Sequence, residues 1–215
     1  ELTDQLNALS DSLDRDSDGL ADMGKDLQDR ARAAMFSLGT TYPELSGYYP
    51  QPKGLLFPAF LSVQNLSGIY SPFTIEANYN SAMVSYNLPF TICHELSHLR
   101  GFMQEEEANF IGFLACVNAD DTAFNYSGYL LGWIYATNEL YEVDYDTFEE
   151  IYNRLSDNVK ADLSANSSFW KRYDSKVAEV SGQINDHYLK ANGQSDGIKS
   201  YDRMVDLMIT WFRSK

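Results

Sequence analysis

The sequence predicts a mainly α (α+β) domain in which many helices surround one small β-sheet that precedes the most distinctive helix. Three observations predict it. From residue 87 onward, apolar residues recur at spacings of three and four almost without interruption. Only residues 60–80 concentrate β-branched and aromatic side chains in short segments, which suits them to strands. With 215 residues, 44% hydrophobic and 14% aromatic, the chain can bury a single core, so one domain over residues 1–215 is expected.

Residues 1–37 form a largely polar helical segment. Leu6, Leu9 and Leu13, then Leu20, Met23 and Leu27, then Ala34 and Met35 carry its apolar face, and Asp18-Gly19 breaks or kinks it. Residues 39–58 read as a long loop, with Gly39, Pro43, Gly47, Pro50, Pro52, Gly54 and Pro58 interleaved with tyrosines. Residues 60–80 supply the sheet through Phe60-Leu61-Ser62-Val63, Gly68-Ile69-Tyr70, Phe73-Thr74-Ile75 and Ala77-Asn78-Tyr79. A helix pair is expected over residues 87–119. Asn87 caps the first helix, Pro89 lies in its first turn, Gly101 ends it, and the second runs over residues 104–118. Within the helical remainder, residues 120–215, starts are expected at Asp120 or Asp121, at Asp146 with Glu149 as a capping box, at Ser167 or Ser168 for a long helix ending near Asn192-Gly193, and at Ser200.

Thirty-one acidic against 16 basic residues give a formal charge of -15, the wrong sign for neutralising phosphates, so nucleic acid and anionic lipid are excluded as expected partners. The most apolar stretches, residues 108–117 and 129–136, fall short of the roughly 18 to 20 residues of a membrane helix and read as core, with Tyr129, Trp133 and Tyr135 among them. Cys93 and Cys116 are too few for a disulfide scaffold and read as buried free thiols. Asp14-Arg15-Asp16-Ser17-Asp18-Gly19 imitates half a calcium loop, but Lys25 stands where the closing carboxylate belongs, so it reads as a polar helix break.

His94-Glu95-Leu96-Ser97-His98 is an HExxH motif. Residues four apart lie on one helix face, about 6 Å apart along the axis, so His94 and His98 can grip one zinc ion. Glu95, turned by roughly 100°, cannot complete that grip but can take a proton from water beside the ion, the position of a general base. With three histidines in the chain, chance supplies this motif only about 0.002 times. Ile92, Leu96 and Leu99 form the core-facing stripe of the same helix.

A catalytic zinc site takes three protein ligands. Glu105, Glu106 and Glu107 enter the first turn of the next helix, where carboxylates also suit a solvated N-terminus. Glu105, Ala108, Asn109, Gly112 and Cys116 form a stripe of small residues that permits close approach to the first helix. Glu105 is therefore the expected third ligand, with Glu106 next, and Asn109 the residue that orients a ligating histidine.

At these residues the chain resembles the gluzincin metallopeptidases, whose third zinc ligand is a glutamate on the next helix. It is more closely similar to a bacterial family described only as a domain of unknown function with a zinc metallopeptidase-type domain. Gly68-Ile69-Tyr70-Ser71-Pro72-Phe73-Thr74, Glu76-Ala77-Asn78, Leu88-Pro89-Phe90-Thr91, the HExxH, Glu105-Glu106-Glu107-Ala108-Asn109-Phe110, Leu114-Ala115-Cys116, Tyr188-Leu189-Lys190 and residues 193–201 carry the likeness. The resemblance implies a gluzincin-like zinc metalloendopeptidase acting on a peptide or protein substrate. It places that domain behind membrane helices absent from this chain, which begins at Glu1 without methionine, and on the extracytoplasmic side. It implies a cleft-lining edge strand at residues 74–80 that pairs with substrate. It also implies an oxyanion donor among His187, Tyr188, Tyr201 and Arg203. The short link from His98 to Glu105 lacks the insertion of many gluzincins, so their specificity pockets do not transfer. Two other readings stand beside it: a non-catalytic zinc-binding sensory or protein-binding domain of a membrane-anchored receptor, which has no need of Glu95, and a metal-free helical domain.

Overall fold

The structure is a computed structural model that describes residues 1–180, 182–183 and 202–215. It is mainly helical with one three-stranded sheet, as the sequence predicts. Among the described residues, no helix is long and apolar enough to cross a membrane.

Helix α1 (Leu2–Ser12) buries Leu6. The chain then leaves helical geometry altogether, rather than kinking, until α2 (Leu27–Thr41). In between, the Asp16 carboxylate accepts the backbone N–H groups of Asp18 and Leu20, Gly19 takes a left-handed φ of 76°, and Arg15 pairs with Ala21. A carboxylate satisfying its own turn competes with helix here, and Leu20 and Met23 consequently sit in the loop, not on a helix face. Arg30 on α2 grips Asp121 with two 2.7 Å bonds, fixing α2 against the start of a later helix.

The loop expected over residues 39–58 begins only at residue 42, because Gly39, Thr40 and Thr41 complete α2, and it contains a short 3-10 turn (Pro43–Leu45) and strand β1 (Lys53–Gly54). Phe60-Leu61-Ser62-Val63, expected as a strand, is instead helix α3 (Ala59–Val63). Pro58 starts it with φ of -63°, the amides of Leu61 and Ser62 bond back to the Pro58 carbonyl, and Leu61 and Ser62 turn inward. β2 (Gly68–Ser71) and β3 (Glu76–Tyr79) form an antiparallel hairpin, and β1 joins β3 in parallel, giving the order β1-β3-β2. Phe73-Thr74-Ile75 is its turn rather than a strand. β3 is therefore the central strand, paired with β2 over Glu76–Tyr79 and with β1 at Asn78 and Tyr79. Strand addition at the β3 segment is therefore restricted, and among the described residues the outer strands are the two-residue β1 and the longer β2, which offers the longer unpaired edge.

Helix α4 (Asn87–His98) carries HExxH at the middle of the molecule, packed against α2, the sheet, and helices α5 (Glu105–Val117) and α6 (Thr122–Val143). Asn87 does not cap α4. It lies inside the first turn, where its amide donates to Val84 and Asn166. Gly101 has φ of 92° and its N–H returns to the His98 carbonyl, the left-handed ending the sequence predicts. Asp121 caps α6 through the amides of Ala123 and Phe124. α7 (Tyr145–Asn153) is capped by Asp144 rather than Asp146, and α8 (Asp157–Lys171) by Ser156. Ser167 and Ser168, expected as a helix start, lie within α8 because Ser156 begins the helix three turns earlier. The expected end near Asn192-Gly193 lies outside the described residues. α9 (Asp202–Ser214) closes the chain, burying Met204 and Met208 and setting Trp211 edge-on to Phe113.

The α4/α5 contact follows from the small-residue stripe. A methyl group at Gly112 would stand 3.3 Å from the His94 amide nitrogen and the Phe90 carbonyl, and Ala108 and Cys116 are fully buried. Cys93 and Cys116 are buried free thiols.

Candidate metal centre

Helical phase and helix proximity build the site together. His94 and His98 occupy one face of α4, their rings 4.8 Å apart and nearly perpendicular. Glu105, in the first turn of α5, faces both: its Oε2 is 3.3 Å from His94 Nε2 and its Oε1 is 3.8 Å from His98 Nε2. The three ligand atoms lie within 4.8 Å of one another. Ligands at about 2.0 to 2.1 Å from a tetrahedral zinc stand roughly 3.3 Å apart, so the widest separation has to close by about 1.5 Å, within the reach of side-chain rotation.

Histidine tautomers matter because the metal needs a lone pair on Nε2. Phe102, placed by the Gly101 turn, offers its carbonyl at 2.7 Å to His98 Nδ1. Nδ1 therefore carries the proton and Nε2 presents its lone pair to the site. Sequence reasoning missed this partner, because a backbone acceptor leaves no residue-type signal. Asn109 is buried and adds to the proton affinity of His94, but the orienting hydrogen bond expected between them is not formed: its Oδ1 accepts from the Tyr135 hydroxyl at 3.3 Å and its Nδ2 is buried without a partner. Tyr135, expected as plain core, thus reaches the surroundings of the site.

Glu95 is 5% exposed, and its Oε2 is buried without a hydrogen-bond partner, as is His94 Nδ1. Strand β2 covers this carboxylate: a methyl group at Gly68 would stand 2.4 Å from Glu95 Oε1. Two residues along the same strand face, the Tyr70 ring lies 5.9 Å from the His98 ring. Gly68 and Tyr70 are site residues that the sequence presented only as strand. Glycine in a strand often marks a close approach, which was the available signal.

Electrostatics follow from burial. Burial pushes Glu95 up, Glu105's charge adds to it, and His94 offsets it only in part, leaving the carboxyl at about 8. Burial drives His94 down, but the hydrogen bond and charge of Glu105, with the charge of Glu95, outweigh it and raise the imidazole to about 9. His98, lowered by burial and by His94, falls to about 4. Glu105, despite burial, is lowered by its bond to His94 and the charges of both histidines. In the metal-free protein, a proton on His94 occupies the place of a cation.

The metal-free protein accordingly has a pH signature. Glu95 holds its proton to about 8 when folded against an ordinary 4.5, and His94 to about 9 against 6.5. Above pH 6.5 and up to 8, the folded chain binds more protons than the unfolded one, so stability falls with rising pH, by on the order of 1 kcal/mol per pH unit for each group. His98 works the other way, but between about 4 and 6.5. Urea unfolding in chelator at both ends of the upper window measures this, and stability that rises across it would contradict these proton positions.

Glu106 is not solvated as the sequence suggested. It is buried, and its Oε1 lies 3.3 Å from Arg203 of α9, away from the histidines. Glu107 is exposed. Arg203 therefore reaches the carboxylate beside Glu105, while His187, Tyr188 and Tyr201 lie outside the described residues.

Residues 1–209 match the model of one family, described as a protein of unknown function (DUF3810). No curated protein and no solved structure matches the chain.

Proposed function

Since the chain belongs to this DUF3810 family of unknown function, its chemistry has to be read from its own residues, and we propose that it is a gluzincin-like zinc metalloendopeptidase. The observation that carries the reading is Glu95: a buried carboxylate with an unpartnered oxygen is costly unless something in the site uses it, and it stands beside two imidazoles and a third carboxylate.

His94, His98 and Glu105 would hold the zinc, and the donor set fits: two neutral nitrogens and one charged oxygen leave a net charge near +1. Zinc, when bound, supplies Lewis acidity that polarises a substrate carbonyl and acidifies water. The chain's own groups do the rest. Phe102 keeps the His98 lone pair aimed at the site. Glu95, which the charge of a cation held beside it would keep ionised, takes the proton of the attacking water and passes it to the leaving amine. The free edge of β2, with Gly68 against Glu95 and Tyr70 against His98, is the place for an extended peptide to add a strand. Attachment to a membrane through a segment outside this chain, on the extracytoplasmic side, belongs to the same proposal by resemblance.

The alternative, a zinc-binding sensory or protein-binding domain without turnover, draws on one observation, the close cover of β2 over Glu95. It leaves that buried acid without a use.

Zinc per chain, measured by mass spectrometry after dialysis against a weak chelator, tests the reading. The expected result is near one zinc in the wild type, the same in Glu95→Gln, and loss in Glu105→Ala. A wild type that retains no metal would overturn it. Zinc retained undiminished in Glu105→Ala would remove Glu105 from the ligand set.

A further inference from the structure

Residues 54–75 contain no Asp, Glu, Lys, Arg or His, although the chain's 22% of charged residues would place about five in such a stretch. The same stretch carries a concentration of exposed apolar side chains. Leu56 is 91% exposed, Phe57 80% and Phe73 97%, and Phe60, Ile69 and Ile75 are exposed with them. Their placement is ordered. Leu56, Phe57 and Phe60 follow β1 and lead through α3, at the Tyr79 end of the sheet; Phe73 and Ile75 form the hairpin turn at the other end, about 13 Å along β2. Ile69 lies between, on the β2 face opposite Gly68 and Tyr70.

Folding does not account for this surface. Phe73 gains almost no burial, and Ile75, a β-branched residue, is held at φ of 55°, a left-handed conformation unfavourable for it, while its side chain remains in water. Exposed apolar groups gathered in this way mark an interaction site.

Charge selects the occupant. A second copy would set two chains of formal charge -15 together across a face offering no ion pair. An anionic bilayer is repelled by the rest of the chain, and a charged protein surface finds nothing here to pair with. The apolar groups are protruding tips rather than a groove, so they need a medium that accepts them without shape complementarity. We propose that the surface of residues 54–75 seats on the interface of a zwitterionic lipid bilayer, with Leu56, Phe57, Phe60, Phe73 and Ile75 entering the headgroup and acyl boundary. Seating would hold β2, and behind it Glu95, within a strand's thickness of the lipid.

The test is flotation of the 215-residue chain with phosphatidylcholine vesicles, with and without phosphatidylglycerol. The variants are Phe57→Ser/Phe73→Ser, and Tyr145→Ser as an exposed aromatic elsewhere. Both replaced phenylalanines are solvent-exposed, so the fold is retained, which thermal unfolding monitors. The expected result is binding to phosphatidylcholine, weakened by phosphatidylglycerol, unchanged in Tyr145→Ser, and reduced on the order of 30-fold in the double variant. Glu105→Ala should bind vesicles as the wild type does, so this proposal and the zinc reading fail separately. A wild type that stays in the aqueous fraction overturns the proposal, as does vesicle binding that the double variant retains. A concentration-dependent dimer that the double variant converts to monomer, without vesicle binding, assigns the surface to a second copy instead.

Discussion

Glu95→Gln is expected to lower the proposed peptide hydrolysis by about a thousandfold or more in kcat, with zinc binding and fold retained. The size follows from the role. A positioned general base contributes on the order of 10² to 10⁴, and among the described residues of this site no other carboxylate is poised to replace Glu95, because Glu105 is committed to both histidines. Glutamine preserves the side-chain volume beneath Gly68, where added bulk would collide. It also removes a buried ionisable group with an unpartnered oxygen, so in chelator the variant should be at least as stable as the wild type above pH 8, where the metal-free Glu95 otherwise carries an unfavourable buried charge. Turnover of a peptide library, zinc content and thermal midpoint, measured together, check all three. Undiminished hydrolysis in Glu95→Gln would remove Glu95 from the chemistry, whereas lost zinc would make it part of the ligand set.

Asp162→Ala should be the most destabilising single change outside the candidate metal centre, at about 3 to 5 kcal/mol. Asp162 is fully buried on α8 and accepts from Arg15 Nη1 at 2.8 Å, from the Tyr126 hydroxyl at 2.5 Å and from the Ala21 amide at 2.9 Å. Those three donors belong to the α1–α2 connection and to α6, so one carboxylate ties three parts of the chain together. Removing it strands the Arg15 guanidinium, which is largely covered and retains only its Ser10 contacts, and leaves a buried tyrosine hydroxyl and a backbone N–H unpaired. For a chain of this size the loss corresponds to a fall of roughly 10 °C in Tm. Asp162→Asn, which keeps the volume and some of the hydrogen bonds, should lose less. A shift under about 2 °C in Asp162→Ala would show that the cluster contributes little. Zinc content, unaffected in the folded variant, separates this structural effect from the metal centre.

Neither Asp162 nor Arg15 stood out in the sequence, where each is one charged residue among many. The pair lies 147 positions apart, and nothing in local spacing announces such a contact. Short segments misled for a related reason. Phe60-Leu61-Ser62-Val63 has the composition of a strand, yet a proline-started turn and the burial of Leu61 and Ser62 make it helical. Asp146 and Glu149 have capping-box spacing, but Asp144 reaches the Thr147 amide first. In segments this short, the local preference amounts to a fraction of a kilocalorie per residue, and tertiary packing exceeds it.

The long-period signals were different in kind. A motif fixed by 3.6 residues per turn placed His94 and His98 on one face whatever the rest of the chain did. A run of small residues on the next helix sufficed to bring Glu105, rather than Glu106, to them. The sequence by itself therefore determined the mainly helical class, the two-histidine face and the helix that answers it, because these depend on periodicity within one element and on side-chain size. Only the tertiary structure decided that β3 is the central strand and β2 an outer one, that Gly68 and Tyr70 lie over the HExxH motif, that Phe102 sets the His98 tautomer and that Asp162 anchors the early loop. Strand order, backbone acceptors and buried ion pairs join residues distant in sequence, or groups that carry no side-chain identity, and no spacing rule encodes them.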